Sequence, residues 1–505
     1  MIKLNLKKYF NFPSILFFLI LILASFMRFY RIREYILFLG DEGRDVLIVK
    51  RMIIDHVFTL LGPITSVGSM YMGPVYYYFM APFLWAWHLD PVGPSIMVAL
   101  FSLSTIYLIY RLSREFFSPY VGVIASFFYA ISPLTVIYGR SSWNPNIVPF
   151  FSLLIIYCLM KVVIQNKHRW LVVAGLTLGI LVQLHYVTLL MIPVIMFCLA
   201  LLKFKLKLKY YIFSFLAFIA TYSPFLLFEV RHSLINTMAV LRFIRQQNHE
   251  AGFSLVKIIS SIQDILIRTF WRLIVIENAE LAKIITLGII IGVCIYWNKS
   301  HRHKTGPQAI DILIIWLITA VSLIGLYQGV VYDYYLGSLF PVPFFFLGIS
   351  VFTYWSDKKL YNISLLLILA ILVSYNIKHS PLAIEPNNLI RNTQEISRSV
   401  FDLAENKPYN FALIAGKNSD HAYRYFLEIW GEPPVEIANP VVDPMRKTVT
   451  SQLLVVCEEK ICQPLGHPLW QIAGFGRAEI IGEWQVSTAK VFKLIPYNPS
   501  DSNKL

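Results

Sequence analysis

Charge is scarce in this chain. Asp, Glu, Lys and Arg make up 14% of 505 residues, hydrophobic residues 57%, and the mean hydropathy is positive. So little polar material cannot coat a water-soluble fold, which excludes an ordinary soluble enzyme and implies a polytopic membrane protein. Acids are scarcer still, 29 against 44 Lys and Arg, for a formal charge of +15. The basic residues lie in short clusters between apolar runs and not on one face, a pattern that sets topology and gives no reason to expect nucleic acid. There is no Walker loop and no dinucleotide fingerprint, which argues against direct use of a nucleotide. No set of His, Cys and carboxylates has metal-ligand spacing. The first apolar run is followed by "RFYRIREY" and by no small-residue cleavage site, so it reads as a retained span and not a removed signal. Of 5 cysteines, Cys158, Cys198 and Cys294 fall in expected spans, while the spacing of Cys457 and Cys462 in "CEEKIC" leaves their pairing open.

Length and loop charge together predict about eleven spans, near 13–30, 92–110, 119–138, 147–164, 170–184, 187–202, 210–228, 282–297, 310–330, 336–355 and 361–377. The run from Trp170 to Leu202 would make a helix of about 50 Å against a hydrocarbon core of about 30 Å, and it is split at His185-Tyr186. With that split "KKYF", "RLSRE", "KVVIQNKHR", "KFKLKLK", "NKSHRHK" and "SDKK" all fall on one side, which the positive-inside rule makes the cytoplasm. The N-terminus is then cytoplasmic and the chain a multi-pass protein of the cell membrane. The external face receives 31–91, the turn 139–146, His185, 229–281, 330–335 and everything after about residue 378.

The chain divides into a transmembrane part, 1–379, whose external loop is 31–91, and a soluble external domain, 380–505. In the latter, "NTQEISRSVFDLAE" and "SDHAYRYFLEIW" read as helices, and "YNFALIAG", "SQLLVVCEE" and "STAKVFKLIPY" as strands, making a small α/β fold. Within the first external loop, "RDVLIVKRMIIDHVF" suits a helix lying in the membrane interface. The aromatic stretch after it favours the headgroup level.

The stretch "LGDEGRDVLIVKRMI" places Asp41, Glu42, Arg44 and Asp45 just after the first span. Such acids can cap a helix, worth about 0.5–2 kcal/mol, or one of them can act as a general base toward an acceptor hydroxyl or amine. Adjacent carboxylates also raise one another's proton affinity. The Asp-Glu pair after the first span, "YMGPVYYYFMAP" in the first external loop, "YDYY" followed by "PVPFFFLG", and the external tail together resemble membrane glycosyltransferases of the GT-C fold. The resemblance is to the family-39-like group of protein O-mannosyltransferases and lipid A aminoarabinose transferases. It implies an α-helical polytopic catalytic domain and inverting transfer of a sugar from a polyprenyl-phosphate carrier to a lipid, glycan or protein acceptor. It assigns the catalytic base to Asp41, with Glu42 beside it.

One departure from that group stands out. Relatives that modify lipid A carry a lysine in a "KPP" motif where this chain has Met72-Gly73-Pro74. The donor phosphate must therefore meet other cations, and Arg44, Arg140, Arg231 and His232 are the candidates on the external face. Tyr71, Tyr76, His185, Asp333 and Tyr334 are the candidates for holding substrate. No cofactor is required, although Asp41 or Glu42 leaves room for a divalent cation. The alternative is a non-enzymatic lipid or polysaccharide transporter or flippase, but this would place ionisable residues near the bilayer midplane, and the expected spans are nearly free of acids.

Overall fold

The computed structural model describes residues 12–65, 70–202, 207–250, 255–302, 308–327 and 329–498. The connector "KKYF" and parts of "KFKLKLK" and "NKSHRHK" lie outside the described residues. The chain forms two compact units, Met1–Tyr30 with Phe58–Phe79 and Pro94–Glu385, and Arg31–Val57 with Met80–Gly93 and Pro386–Leu505.

Among the described residues six helices are long and apolar enough to cross a membrane: Phe12–Phe29, Val92–Phe116, Asn144–Val163, Leu208–Arg231, Ala279–His301 and Lys359–Lys378. A seventh apolar stretch, Asp333–Leu339 with Pro341–Tyr354, is bent by 55° at its break. Shorter apolar helices occupy Pro119–Ile131, Trp170–Leu181, Tyr186–Leu201 and Ala309–Gly325. Each of these falls where the sequence predicts a span, and the protein is a multi-pass membrane protein. The long run at 170–202 does break. Its first helix ends at Leu181, and the His185 ring accepts from the N–H of Val187 to start a 3-10 turn that leads into Met191–Leu201. The expected span 119–138 breaks at Ser132, because Pro133 has no N–H to continue a helix and the chain restarts as Pro133–Tyr138.

Gly175 and Gly179 set the packing of Trp170–Leu181. A Cβ on Gly175 would lie 2.1 Å from the carbonyl oxygen of Ser214, and one on Gly179 would lie 2.1 Å from Thr221 Oγ1. Only glycines spaced by four let the backbone approach Leu208–Arg231 this closely.

The second unit is built on a four-stranded sheet of β1 (Asn410–Ile414), β2 (Leu453–Cys457), β3 (Ala478–Val486) and β4 (Ala489–Pro496), in the order β1-β2-β4-β3. β1 and β2 are parallel and the other pairs antiparallel. Every residue of β1 and β2 is buried, which explains why both read as unbroken apolar runs and not as alternating ones. The helices Leu389–Ala404 and His421–Ile429 supply Val400, Tyr423 and Leu427 to one core, with Phe411, Leu454 and Val491. Ala412, Val455, Phe475 and Phe492 form a second core. The strand β3 is absent from the sequence expectation. Cys457 and Cys462 are joined by a disulfide.

This unit also takes in part of the loop that the sequence groups with the membrane domain. The helix Gly40–Ile54 packs against His421–Ile429 and buries Val46, Leu47, Val49 and Met52. Lys50 and Arg51 both pair with Glu428. The expectation of an interfacial helix placed Leu47, Ile54 and Phe58 on one apolar side; protein covers Leu47, whereas Ile54 and Phe58 are exposed.

Candidate active site

The helix Gly40–Ile54 begins at the acidic cluster, and the two adjacent carboxylates do different things. Glu42 is buried, and its Oε2 accepts from the N–H of Leu39 at 3.1 Å, so this residue caps the helix. Burial pushes its pKa up to about 7; the backbone bonds oppose the rise, and the charges of Asp45 and Asp41 add to it. Asp41 caps nothing in this geometry. Its side chain is 60% exposed and meets Arg44 Nη1 at 2.9 Å. Arg44 is itself anchored by Asp45, which is fully buried and accepts from Nε at 3.0 Å and Nη2 at 2.8 Å. A buried carboxylate therefore holds a guanidinium, which orients an exposed carboxylate.

Two glycines flank that pair. A Cβ on Gly40 would fall 2.0 Å from Ser419 Oγ, and one on Gly43 would fall 2.3 Å from the backbone nitrogen of Ala422. Spaced by three, they lie on one side of the helix and let the N-terminal end of His421–Ile429 touch backbone to backbone. Asn418 Oδ1 accepts from the N–H of Gly40 at 2.9 Å. Ser419 Oγ lies 2.8 Å from His421 Nδ1. Burial holds the His421 imidazole below its ordinary pKa, with Arg44 and Arg424 acting in the same sense and Asp420 and Asp41 against them. A cleft of about 540 Å³ runs beside this helix, lined by Leu47, Arg51, Arg424, Glu436 and Trp470. Among the described residues no group of three or more His, Cys, Asp or Glu is gathered to hold a metal ion. Arg44 already faces Asp41 with positive charge and Glu42 is turned to the backbone, an arrangement that does not fit a cation held between them.

The other candidate residues lie in the membrane unit. The His185 ring sits 5.6 Å from that of Tyr334 and 5.2 Å from that of Tyr335, and Trp143 meets Tyr334 edge-on at 4.6 Å. Asp333 accepts from Arg268 Nη2 at 2.9 Å and Arg272 Nε at 2.8 Å. The sequence reading missed both arginines; their signal is a spacing of four on the helix Leu255–Ile274. Tyr71 takes part through its backbone, whose carbonyl accepts from Tyr186 Oη at 2.6 Å. Tyr76 is fully buried against Ser142. Arg140 is buried as well and donates to the carbonyls of Met27 and Tyr30, at the C-terminal end of the first span. Arg231 is exposed, and His232 stacks on Phe228 and contacts its carbonyl. Glu229 pairs with Asn236 and Thr237 and not with Arg231.

The dolichyl-phosphate-mannose-protein mannosyltransferase family matches residues 72–228. The crystal structure of ArnT from Cupriavidus metallidurans bound to undecaprenyl phosphate superposes with a TM-score of 0.62 at 10% identity, covering 95% of this chain and 97% of that one. The chain has the GT-C fold of membrane glycosyltransferases. The GT-C architecture extends to the archaeal oligosaccharyltransferase AglB from Archaeoglobus fulgidus, in complex with an inhibitory peptide and a dolichol-phosphate. That match has a TM-score of 0.54 at 12% identity and covers 89% of this chain and 70% of AglB. No curated protein matches the chain by sequence.

Proposed function

We propose that this glycosyltransferase moves a sugar from a polyprenyl-phosphate carrier to an acceptor at the external membrane face, with inversion, and that Asp41 is the general base. The observation that carries the reading is the division of labour at the start of Gly40–Ile54. Glu42 does the capping, whereas Asp41 is exposed and held by Arg44. Asp41 takes the proton of an acceptor hydroxyl or amine as that atom attacks the anomeric carbon. The bond from that carbon to the phosphate oxygen breaks on the opposite side, and the electron pair leaves with the polyprenyl phosphate.

Arg268 and Arg272 suit the phosphate of the carrier, because two guanidinium groups against the single carboxylate of Asp333 leave a net positive charge. The rings of Trp143, His185 and Tyr334 suit the faces of a sugar. ArnT is bound to undecaprenyl phosphate and AglB to a dolichol-phosphate, which supports a lipid-monophosphate donor. The basic connectors support a cytoplasmic N-terminus and an external C-terminal fold.

The test is Asp41→Asn, assayed with a panel of labelled polyprenyl-phosphate sugars on native membranes. The amide keeps the size of the side chain but accepts no proton, so transfer at saturating donor should fall by about 10²–10⁴-fold. A stable Asp41→Asn protein that transfers within a few-fold of the parent would refute the assignment.

A further inference from the structure

We propose that Asn418 is a positioning residue for catalysis, acting through the first N–H of the helix that carries Asp41. The inference rests on the reading of Asp41 as the base. An α-helix leaves its first N–H groups without intrahelical partners, and what satisfies them fixes how the first turn sits. Here Glu42 takes the N–H of Leu39, and Asn418 Oδ1 takes that of Gly40, one peptide before Asp41.

Every polar atom of the Asn418 amide is used in a way that fixes its orientation. Oδ1 also accepts from the N–H of Ser419 at 2.9 Å, and Nδ2 donates to Glu458 Oε1 at 2.8 Å. Turning the amide over would aim its NH2 at two N–H donors and its carbonyl at a carboxylate, so only one orientation is allowed. Glu458 Oε1 receives a second bond from Tyr423 Oη at 2.7 Å, and the body of Tyr423 is buried in the sheet core. Glu458 also lies inside the loop closed by the Cys457–Cys462 disulfide. A tether thus runs from the core through Tyr423, Glu458 and Asn418 to the peptide beside the catalytic carboxylate. The close approach at Gly40 and Gly43 makes it short enough to be stiff. Misplacing a catalytic group by about 1 Å can cost about 10²-fold in rate, which is what such a tether guards against.

The experiment compares Asn418→Ala, Asn418→Asp and the double variant Asn418→Asp with Glu458→Gln. All are full-length protein in detergent, assayed with the polyprenyl-phosphate sugar that labels membranes in the panel above. Asn418→Ala should lower kcat about 10-fold or more and leave donor KM unchanged. Asn418→Asp should also lose activity, because two carboxylates then face each other. In the double variant the amide and the carboxylate have changed places, so the bond between positions 418 and 458 forms again with its polarity reversed. The bonds from Gly40 and Ser419 are kept, and Tyr423 Oη, which donates to Glu458 Oε1 in the parent, instead accepts from the second N–H of the new amide at position 458. The kcat of the double variant should recover to within about threefold of the parent. A folded Asn418→Ala protein with the parent kcat, or one whose only change is in donor KM, overturns the proposal. If Asn418→Ala does not fold, a folded double variant no faster than Asn418→Asp overturns it instead. Asp41→Asn is run alongside: an active Asp41→Asn protein removes the base itself, whereas an inactive one beside an undisturbed Asn418→Ala removes only the tether.

Discussion

Replacing Gly43 by Ala sets two effects of opposite sign against each other. In an open helix the change gains about 1 kcal/mol, because alanine restricts the unfolded chain and favours the helix. At Gly43 the new Cβ would sit 2.3 Å from the nitrogen of Ala422, 2.4 Å from its Cα and 2.7 Å from the carbonyl carbon of His421. These are backbone atoms with no rotamer to escape into, so the two helices must separate by about 1 Å to reach ordinary contact. Overpacking of this kind costs about 1–3 kcal/mol, and contact with backbone on the far side places it at the upper end. The net is a loss of about 1–2 kcal/mol, or a fall of about 2–8 °C in the melting of that unit. The same separation lengthens the bond between Gly40 and Asn418, so transfer should fall as well. The assay is a thermal melt in detergent, read together with hydrogen exchange across Gly40–Ile54 and His421–Ile429. Gly288, with nothing within 4 Å of its would-be Cβ, is the control, and Ala there should cost nothing. A Gly43→Ala protein as stable as the parent, with undiminished transfer, would refute the packing account.

Three further outcomes are expected. The Glu42 pKa is raised from 4.5 to about 7 in the fold, so its contribution to stability is complete below about pH 4.5 and is lost as pH rises through 7. Melting temperatures taken from pH 5 to 8 should therefore fall more steeply for the parent than for Glu42→Gln, and parallel curves would remove Glu42 as the cause. Arg272→Ala should raise donor KM about 10-fold or more with a smaller change in kcat, since it removes ground-state attraction for phosphate; an unchanged KM would send the phosphate elsewhere. In a background with Cys158, Cys198 and Cys294 replaced, single cysteines at Arg169 and Lys299 should resist an impermeant external reagent and one at Val442 should react; labelling of Arg169 from outside would invert the proposed topology.

The membrane helices were legible because span length and loop charge are properties of short stretches. The break at His185 followed from length together with the side on which it leaves the basic connectors. β3 escaped because its alternation is spoiled by the adjacent Ile480 and Ile481, and the ladder with β4 is irregular between Ile480 and Gly482. At the candidate site Asp41 stood out by its place after the first span, and nothing local revealed that Glu42 would cap the helix. Arg268 and Arg272 were hidden within a long external segment, and their pairing with Asp333 spans 65 and 61 residues. Asn418 was out of reach altogether, because its partner Gly40 is 378 residues away. The glycines of "LGDEGRD" were in plain view. Their meaning depends on what approaches them.

That separation also orders events during synthesis. Chains emerge at about 5–20 residues per second, so the segment with Asp41 is made tens of seconds before Pro386 and the residues after it exist. Through that interval Val46, Leu47, Val49 and Met52 lack the helix His421–Ile429 that packs against theirs, and Gly40 lacks Asn418. The membrane helices can insert as they emerge, each settled by its own length and apolarity. The helix that carries Asp41 gains its packing only when His421–Ile429 has been made and folds onto it. Completion of this unit is therefore the closing step of biogenesis, and with Asp41 as the proposed base the nascent chain in the bilayer stays silent until its own C-terminal fold arrives.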